Sequence, residues 1–215
     1  MLTVAEAMQQ RRSTRSFKRT PVSEEMILKM LEAARLAPSA SNSQPWRFAV
    51  VTDAEEKKGL RQLCFNQAFI EDAGVVFVAC ADLSSYSKET YRKRRQEAVD
   101  AGVLPASSLN NPIYRSFIDA TAEPDPATFI TPATANTYIA TEHLVLMAAA
   151  LGLGSCWVGA ISDHNAVKAL LGIPKDIMLV ALVAVGYTNI APSVRPHLPL
   201  ENILLRPFPD TTDSR

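Results

Sequence analysis

A chain of 215 residues, 47% of them apolar and with equal numbers of acidic and basic side chains, can bury one substantial core and needs no second domain. Net neutrality argues against a polymer-binding protein with an overall basic face, so a local cluster of cations is matched to one small anion. No apolar run approaches the roughly 18 residues of a membrane span, Glu6 and an Arg cluster stand where a secretory leader needs apolar residues, and Cys64, Cys80 and Cys156 lack metal-ligand spacing. The chain therefore reads as soluble and cytoplasmic, with reduced core cysteines and no metal site.

A short helical pattern, Val4 to Gln10, leads into Arg11-Arg12-Ser13-Thr14-Arg15-Ser16. Three guanidiniums and three hydroxyls in six residues make either a solvated basic stretch or the cradle of a bound phosphate. If the helix ran on, Arg11 and Arg15 would face each other at a cost of about a few tenths of a kcal/mol, which a phosphate would reverse. Ser23 caps a second helix with Glu24 and Glu25 in its first turn and Met26, Ile27, Met30, Leu31 and Ala34 on one face, and Pro38 stops it. The stretch Pro38-Ser39-Ala40-Ser41-Asn42-Ser43-Gln44-Pro45-Trp46 reads as a turn-rich loop, or as hydroxyls and carboxamides able to read the edge of a heterocycle. A strand follows at 47–51.

A charged surface helix spans Asp53 to Leu63, a short helical segment Asn66 to Asp72, and a buried strand Val75 to Ala81. Residues 82–131 lack a strong core signal. They carry Tyr86, Tyr91, Tyr114, Phe117 and Phe129 and the run Arg92-Lys93-Arg94-Arg95, read as a solvated helix face, and suggest a partly helical insertion or a mobile cover over a site. Ala135 to Leu151 forms a buried helix ending at Gly152. Gly152 to Ala160 is not a dinucleotide fingerprint, because its glycine spacing is wrong and it follows a helix; its glycines serve either close approach to a flat ligand or close helix–strand packing. Asp163 to Leu171 is a short helix, Ile177 to Tyr187 the strongest buried strand, and Arg195-Pro196-His197-Leu198-Pro199-Leu200 an extended tail.

Taken in order, Arg11 to Arg15, Pro38 to Trp46, Phe65-Asn66 with Asp72-Ala73 before a strand, Leu151-Gly152-Leu153-Gly154 with the segment after it, and Arg195-Pro196-His197 resemble the nitroreductase family of FMN-dependent oxidoreductases over nearly the whole chain. The resemblance implies an α+β fold: a three-layer sandwich with a central mixed sheet flanked by helices, one domain over residues 1–215, and 82–131 as a candidate lid. It implies an intertwined homodimer with FMN at the subunit interface. Arg11, Arg12 and Ser13 would hold the phosphate and ribityl end, Arg195 would close over the phosphate, and Arg15 would lie by the flavin N1 and C2 carbonyl. Pro38, Ser39, Ser41 and Asn42 would come from the partner subunit, Asn66 would read the pyrimidine edge, and the backbone of Trp157, Val158, Gly159 and Ala160 would lie near N5.

The implied chemistry is hydride transfer from NADH or NADPH through flavin N5 to a nitroaromatic, quinone or similar flat acceptor, with no protein nucleophile and no catalytic side chain. A cation by N1 and C2=O favours the reduced flavin, the role implied for Arg15. Two departures stand out. His197 replaces the second tail Arg of many members, so a phosphate contact there would lose its charge near neutral pH. Asn136-Thr137 replaces an acid or longer amide, which leaves Asn136 outside the expected site. Alternative readings are a specialised relative, either a reductive dehalogenase or a flavin-consuming enzyme of cobalamin lower-ligand synthesis, and a flavin-binding module without turnover. The close spacing of Glu89, Tyr91 and Lys93 does not resemble the lid of the dehalogenases.

Overall fold

Capping chemistry sets the boundaries of the helices. In the computed structural model, which describes residues 2–120, 126–188 and 194–206, α1 (Val4–Gln10) opens on a reciprocal capping box in which the Thr3 hydroxyl accepts from the Glu6 N–H and the Glu6 carboxylate accepts from the Thr3 N–H. Ser23 caps α2 (Glu24–Arg35), Asp53 caps α3 (Ala54–Leu63) and Asp163 caps α8 (His164–Leu170), each accepting from backbone N–H groups of the first turn. Helix α4 (Ala68–Asp72) is short.

Strands β1 (Trp46–Val51), β2 (Val75–Asp82), β3 (Gly154–Val158) and β4 (Ile177–Gly186) form one sheet in the order β1-β2-β4-β3. Every strand pair is antiparallel. The expected mixed sheet is thus antiparallel in its named strands, and a parallel relation enters only through the isolated bridge between Ser13 and Ser155. Both faces are covered, which is why β2 and β4 read as continuous apolar runs. Val76, Val78, Cys80, Leu182 and Ala184 pack with Leu60, Ile70 and Val167 of α3, α4 and α8. On the other face Val75, Phe77, Val183 and Val185 pack with Met30 of α2 and with Leu144 and Val145 of α7 (Pro126–Ala150). The result is the expected three-layer α+β sandwich.

Helix α7 begins earlier than its sequence pattern suggests. It runs back through Pro132, which supplies no backbone N–H, and places Phe129 in a stack on Tyr86 with ring centroids 4.8 Å apart. At its other end Gly152 adopts φ +77°, the left-handed stop that the sequence predicts. Residues 82–131 contain α5 (Lys88–Asp100) and α6 (Pro112–Ala120), with one 3₁₀ turn before α5 and another between the two helices, and build a third small cluster around Tyr86, Tyr91 and Ala133. Residues 121–125 and the Phe117 side chain, both within the expected lid, lie outside the described residues.

Cys64, Cys80 and Cys156 are buried and unpaired, and burial pushes the thiols of Cys64 and Cys80 up to about 11. Among the described residues no helix is long and apolar enough to cross a membrane.

Candidate functional site

The arginine stretch does not continue the first helix. Arg11 caps α1 in an extended conformation, φ −56° and ψ 127°, so Arg11 and Arg15 are not stacked one helical turn apart. The chain then runs alongside edge strand β3: Ser13 bridges Ser155, and the Thr14 N–H donates to the Ser155 carbonyl at 2.8 Å. Phe17 bridges Thr188 beyond β4, and the Lys18 N–H donates to Tyr187 O at 2.8 Å. Thr14 and Phe17 are buried, whereas Ser13, Arg15 and Ser16 face outward. Gly154 makes the approach feasible, because a Cβ there would lie 2.9 Å from Thr14 Oγ1. This glycine therefore serves internal packing, one of its two expected uses.

Gly159, just past β3, has no such neighbour. A Cβ there would meet nothing within 4 Å, so its backbone borders open space. Trp157, Val158, Gly159 and Ala160 follow Ser155, the residue that Ser13 bridges, along and just past the same edge strand. The loop after β3 is tied to the turn after α3, since both the backbone N–H and the hydroxyl of Ser162 donate to Leu63 O, at 2.9 and 2.8 Å. In that turn Phe65 and Asn66 adopt φ +57° and +55°, a conformation Asn tolerates better than most residues, and Asn66 is exposed. Guanidiniums and a hydroxyl thus lie along edge strand β3, and open backbone and one exposed carboxamide follow beyond its C-terminal end.

The local field is positive. Arg12 donates from Nη1 to Arg11 O at 2.7 Å, and Arg15 has no hydrogen-bond or ion-pair partner among the described residues. The nearest carboxylate among the described residues is Glu142 of α7, 3.9 Å from Arg11 Nε, with the Trp157 side chain also favouring its charged form. Burial pushes the Glu142 carboxyl above its ordinary range, and Arg11 and Trp157 only partly offset this. Trp157 in turn lies against Tyr138, centroids 5.3 Å apart. Glu142 is a site residue that sequence reading missed; its signal was its solitude, as the sole acid between Asp125 and Asp163.

Pro38, Ser39, Ser41 and Asn42 sit elsewhere. Their loop precedes β1, the opposite edge of the sheet from β3, three strand spacings of about 4.8 Å away, or roughly 14 Å. It is held by Asn136, whose side-chain oxygen accepts from the Ala40 N–H at 3.3 Å while its Nδ2 donates to Tyr86 Oη at 2.7 Å. Ser41, Asn42 and Gln44 all have positive φ. Arg195 and His197 are exposed and make no hydrogen bond or ion pair among the described residues, so a single chain does not draw them into the arginine site.

Known proteins resemble this chain in sequence and shape. The model of the Nitroreductase family matches residues 8–187. An NADH dehydrogenase of Thermus thermophilus is 37% identical over 197 residues, covering 91% of each chain, and an FMN reductase (NADPH) of Bacillus subtilis is 28% identical, covering 89% of this chain and 68% of its own. A nitroreductase-type protein from Exiguobacterium sibiricum, solved in complex with FMN, superposes with a TM-score of 0.81 at 25% identity over 95% of this chain and 97% of its own. With the arginine segment stitched to β3 and a family match spanning most of the residues, the chain belongs to the nitroreductase family.

Proposed function

We propose that the protein is an FMN-dependent oxidoreductase that takes hydride from NADH or NADPH and delivers it to a flat acceptor such as a nitroaromatic or a quinone. The observation that supports this reading is the Ser13–Ser155 bridge, which lays the segment carrying Arg11, Arg12 and Arg15 along the strand that leads into the open backbone at Gly159. The donor set fits FMN: guanidiniums and the Ser13 hydroxyl suit a phosphate and a hydroxylated chain, exposed Asn66 suits a polar ring edge, and Gly159 leaves room for a ring plane. When bound, FMN supplies the two-electron relay between nicotinamide and acceptor.

The residues of the chain bind, orient and bias. Arg11 and Arg12 neutralise the phosphate, with Arg195 and His197 of the tail closing over it. Arg15 holds positive charge beside the pyrimidine end. The backbone of Trp157 to Ala160 borders the reacting face and excludes water from it. Pro38, Ser39, Ser41 and Asn42 reach this site from a second copy of the chain, because their loop stands at the far edge of the sheet; the protein is accordingly a homodimer with FMN between subunits. Three buried, unpaired cysteines support a reducing, cytoplasmic setting.

The test is anaerobic stopped-flow absorbance of the FMN-loaded protein mixed with NADH and, separately, NADPH. Rapid bleaching of the oxidised-flavin band, followed by its return on adding a quinone or nitroaromatic, is the expected result. A bound flavin that neither nucleotide bleaches would overturn the reductase reading and favour a binding module or a specialised relative.

A further inference from the structure

The basic run on α5 is divided by the fold. Arg92 and Lys93 are exposed, as a solvated helix face requires, but Arg94 and Arg95 are only half-exposed and turn inward. They line a cavity of about 280 Å³ together with Tyr91, Tyr114, Ser41 and Asn42. No carboxylate lines it.

Its two cations are held in place before any ligand arrives. The Arg95 Nε donates to Ser108 O at 3.0 Å, and its guanidinium carbon lies 3.9 Å from the centroid of the Tyr114 ring. The Tyr114 hydroxyl is anchored on Tyr91 O at 2.9 Å. These contacts fix the plane of the guanidinium and leave its two terminal nitrogens without hydrogen-bond partners among the described residues. Arg94 pairs with Glu97 through Nη1 at 2.7 Å, while its Nε is buried and unpartnered. A buried N–H without an acceptor calls for an explanation, and an anion in this cavity supplies one. Of the other lining residues, Ser41 holds φ +53°, an unfavourable conformation for a serine of the kind that clusters at ligand clamps, and Asn42 follows it at φ +54°.

A planar pair of guanidinium nitrogens matches the two oxygens of a carboxylate or phosphate. The Arg95–Tyr114 stack, in a cavity also lined by Ala98 and Leu104, suits a flat ring, and the Asn42 carboxamide suits a ring edge. At the small end of ligand pockets, the volume takes one end of a ligand rather than a whole dinucleotide. We infer that this cavity anchors the anionic, ring-bearing end of a small molecule that works at the flavin site, with Arg95 as the specificity-determining residue. The placement of that site rests on the FMN reading above; the recognition itself rests on the cavity. Two sources share this chemistry: the phosphoadenosine end of NADPH and an aromatic carboxylate acceptor.

The experiment is isothermal titration of the FMN-loaded protein with 2′-AMP, with 5′-AMP and with salicylate, in wild type, Arg95→Gln, Arg94→Gln and the exposed control Lys93→Gln, with a thermal melt of each. Binding of 2′-AMP above 5′-AMP, weakened about tenfold or more in Arg95→Gln and Arg94→Gln but not in Lys93→Gln, assigns the cavity to NADPH. The KM for NADPH then rises in parallel while that for NADH stays put. Binding of salicylate with the same variant pattern, and an unchanged NADPH to NADH ratio, assigns it to a carboxylated acceptor. Equal losses in all three variants, or no binding of any probe to wild type, overturns the proposal. Failure of the flavin reading is separate, because it shows as a protein that takes up no FMN, whatever the probes do.

Discussion

Gly154 and Gly159 stand five residues apart in the same segment, yet a methyl group means opposite things at the two positions. At Gly154 it collides with Thr14, a buried, β-branched residue whose own N–H is bonded to Ser155. Gly154→Ala is expected to cost about 1–3 kcal/mol of stability as an overpacking defect and to weaken FMN binding by pushing the arginine segment off β3. At Gly159 the methyl meets no protein atom, so Gly159→Ala should melt at the wild-type temperature and lose FMN affinity alone. Paired thermal melts and flavin titrations check both; a destabilised Gly159→Ala, or a fully stable Gly154→Ala, would contradict the assignment. Glu142 yields a pH signature. Its folded-state pKa lies above the ordinary 4.5, so the native state holds the proton more tightly than the unfolded chain. The corresponding stability is fully present below 4.5 and is lost as pH rises through the folded value. Wild type should therefore lose stability relative to Glu142→Gln across that window in a pH series of melts. The effect should be modest, since the side chain is 43% exposed.

At the scale of elements, the loop before β1 depends on a residue 96 positions away from Ala40 in the chain. Asn136 of α7 joins the Ala40 N–H to the Tyr86 hydroxyl and so couples the loop carrying Ser39, Ser41 and Asn42 to the segment after β2. Truncation leaves a buried hydroxyl and a backbone N–H unpaired. Asn136→Ala should cost about 1–3 kcal/mol and weaken FMN binding, whereas Tyr86→Phe, which removes one hydroxyl and keeps the stack on Phe129, should do so less. Flavin titration alongside urea unfolding of the two variants separates these outcomes. The capped helices and both buried strands were legible in the sequence, since Ser, Asp and Thr caps and β-branched runs act locally. The start of α7 was not. Its first turns are held by Phe129 against Tyr86, a contact between residues 43 positions apart that overrides the local effect of Pro132.

For the whole molecule, the decisive fact is that the two halves of the expected FMN site occupy opposite edges of one sheet. If each site is completed by a second copy, Arg12→Ala and Asn42→Ala should each bind FMN poorly as separate proteins. After joint unfolding and refolding, random pairing makes half the dimers mixed, and each mixed dimer has one intact and one doubly defective site. About a quarter of all sites should then take up FMN. No recovery would show that one chain builds its own site.

The sequence by itself determined what acts locally or through composition: the caps, the apolar strands, the glycine stop at 152, the anion-matching arginine segment and the family resemblance. These need only nearest neighbours or residue chemistry. Tertiary structure alone decided that the arginine segment lies along β3, that Gly154 serves packing while Gly159 borders open space, that Arg94 and Arg95 turn inward, and that Glu142 and Asn136 acquire partners. A polar side chain's role depends on which distant element covers it, because desolvation and hydrogen bonding are set by packing and not by position along the chain.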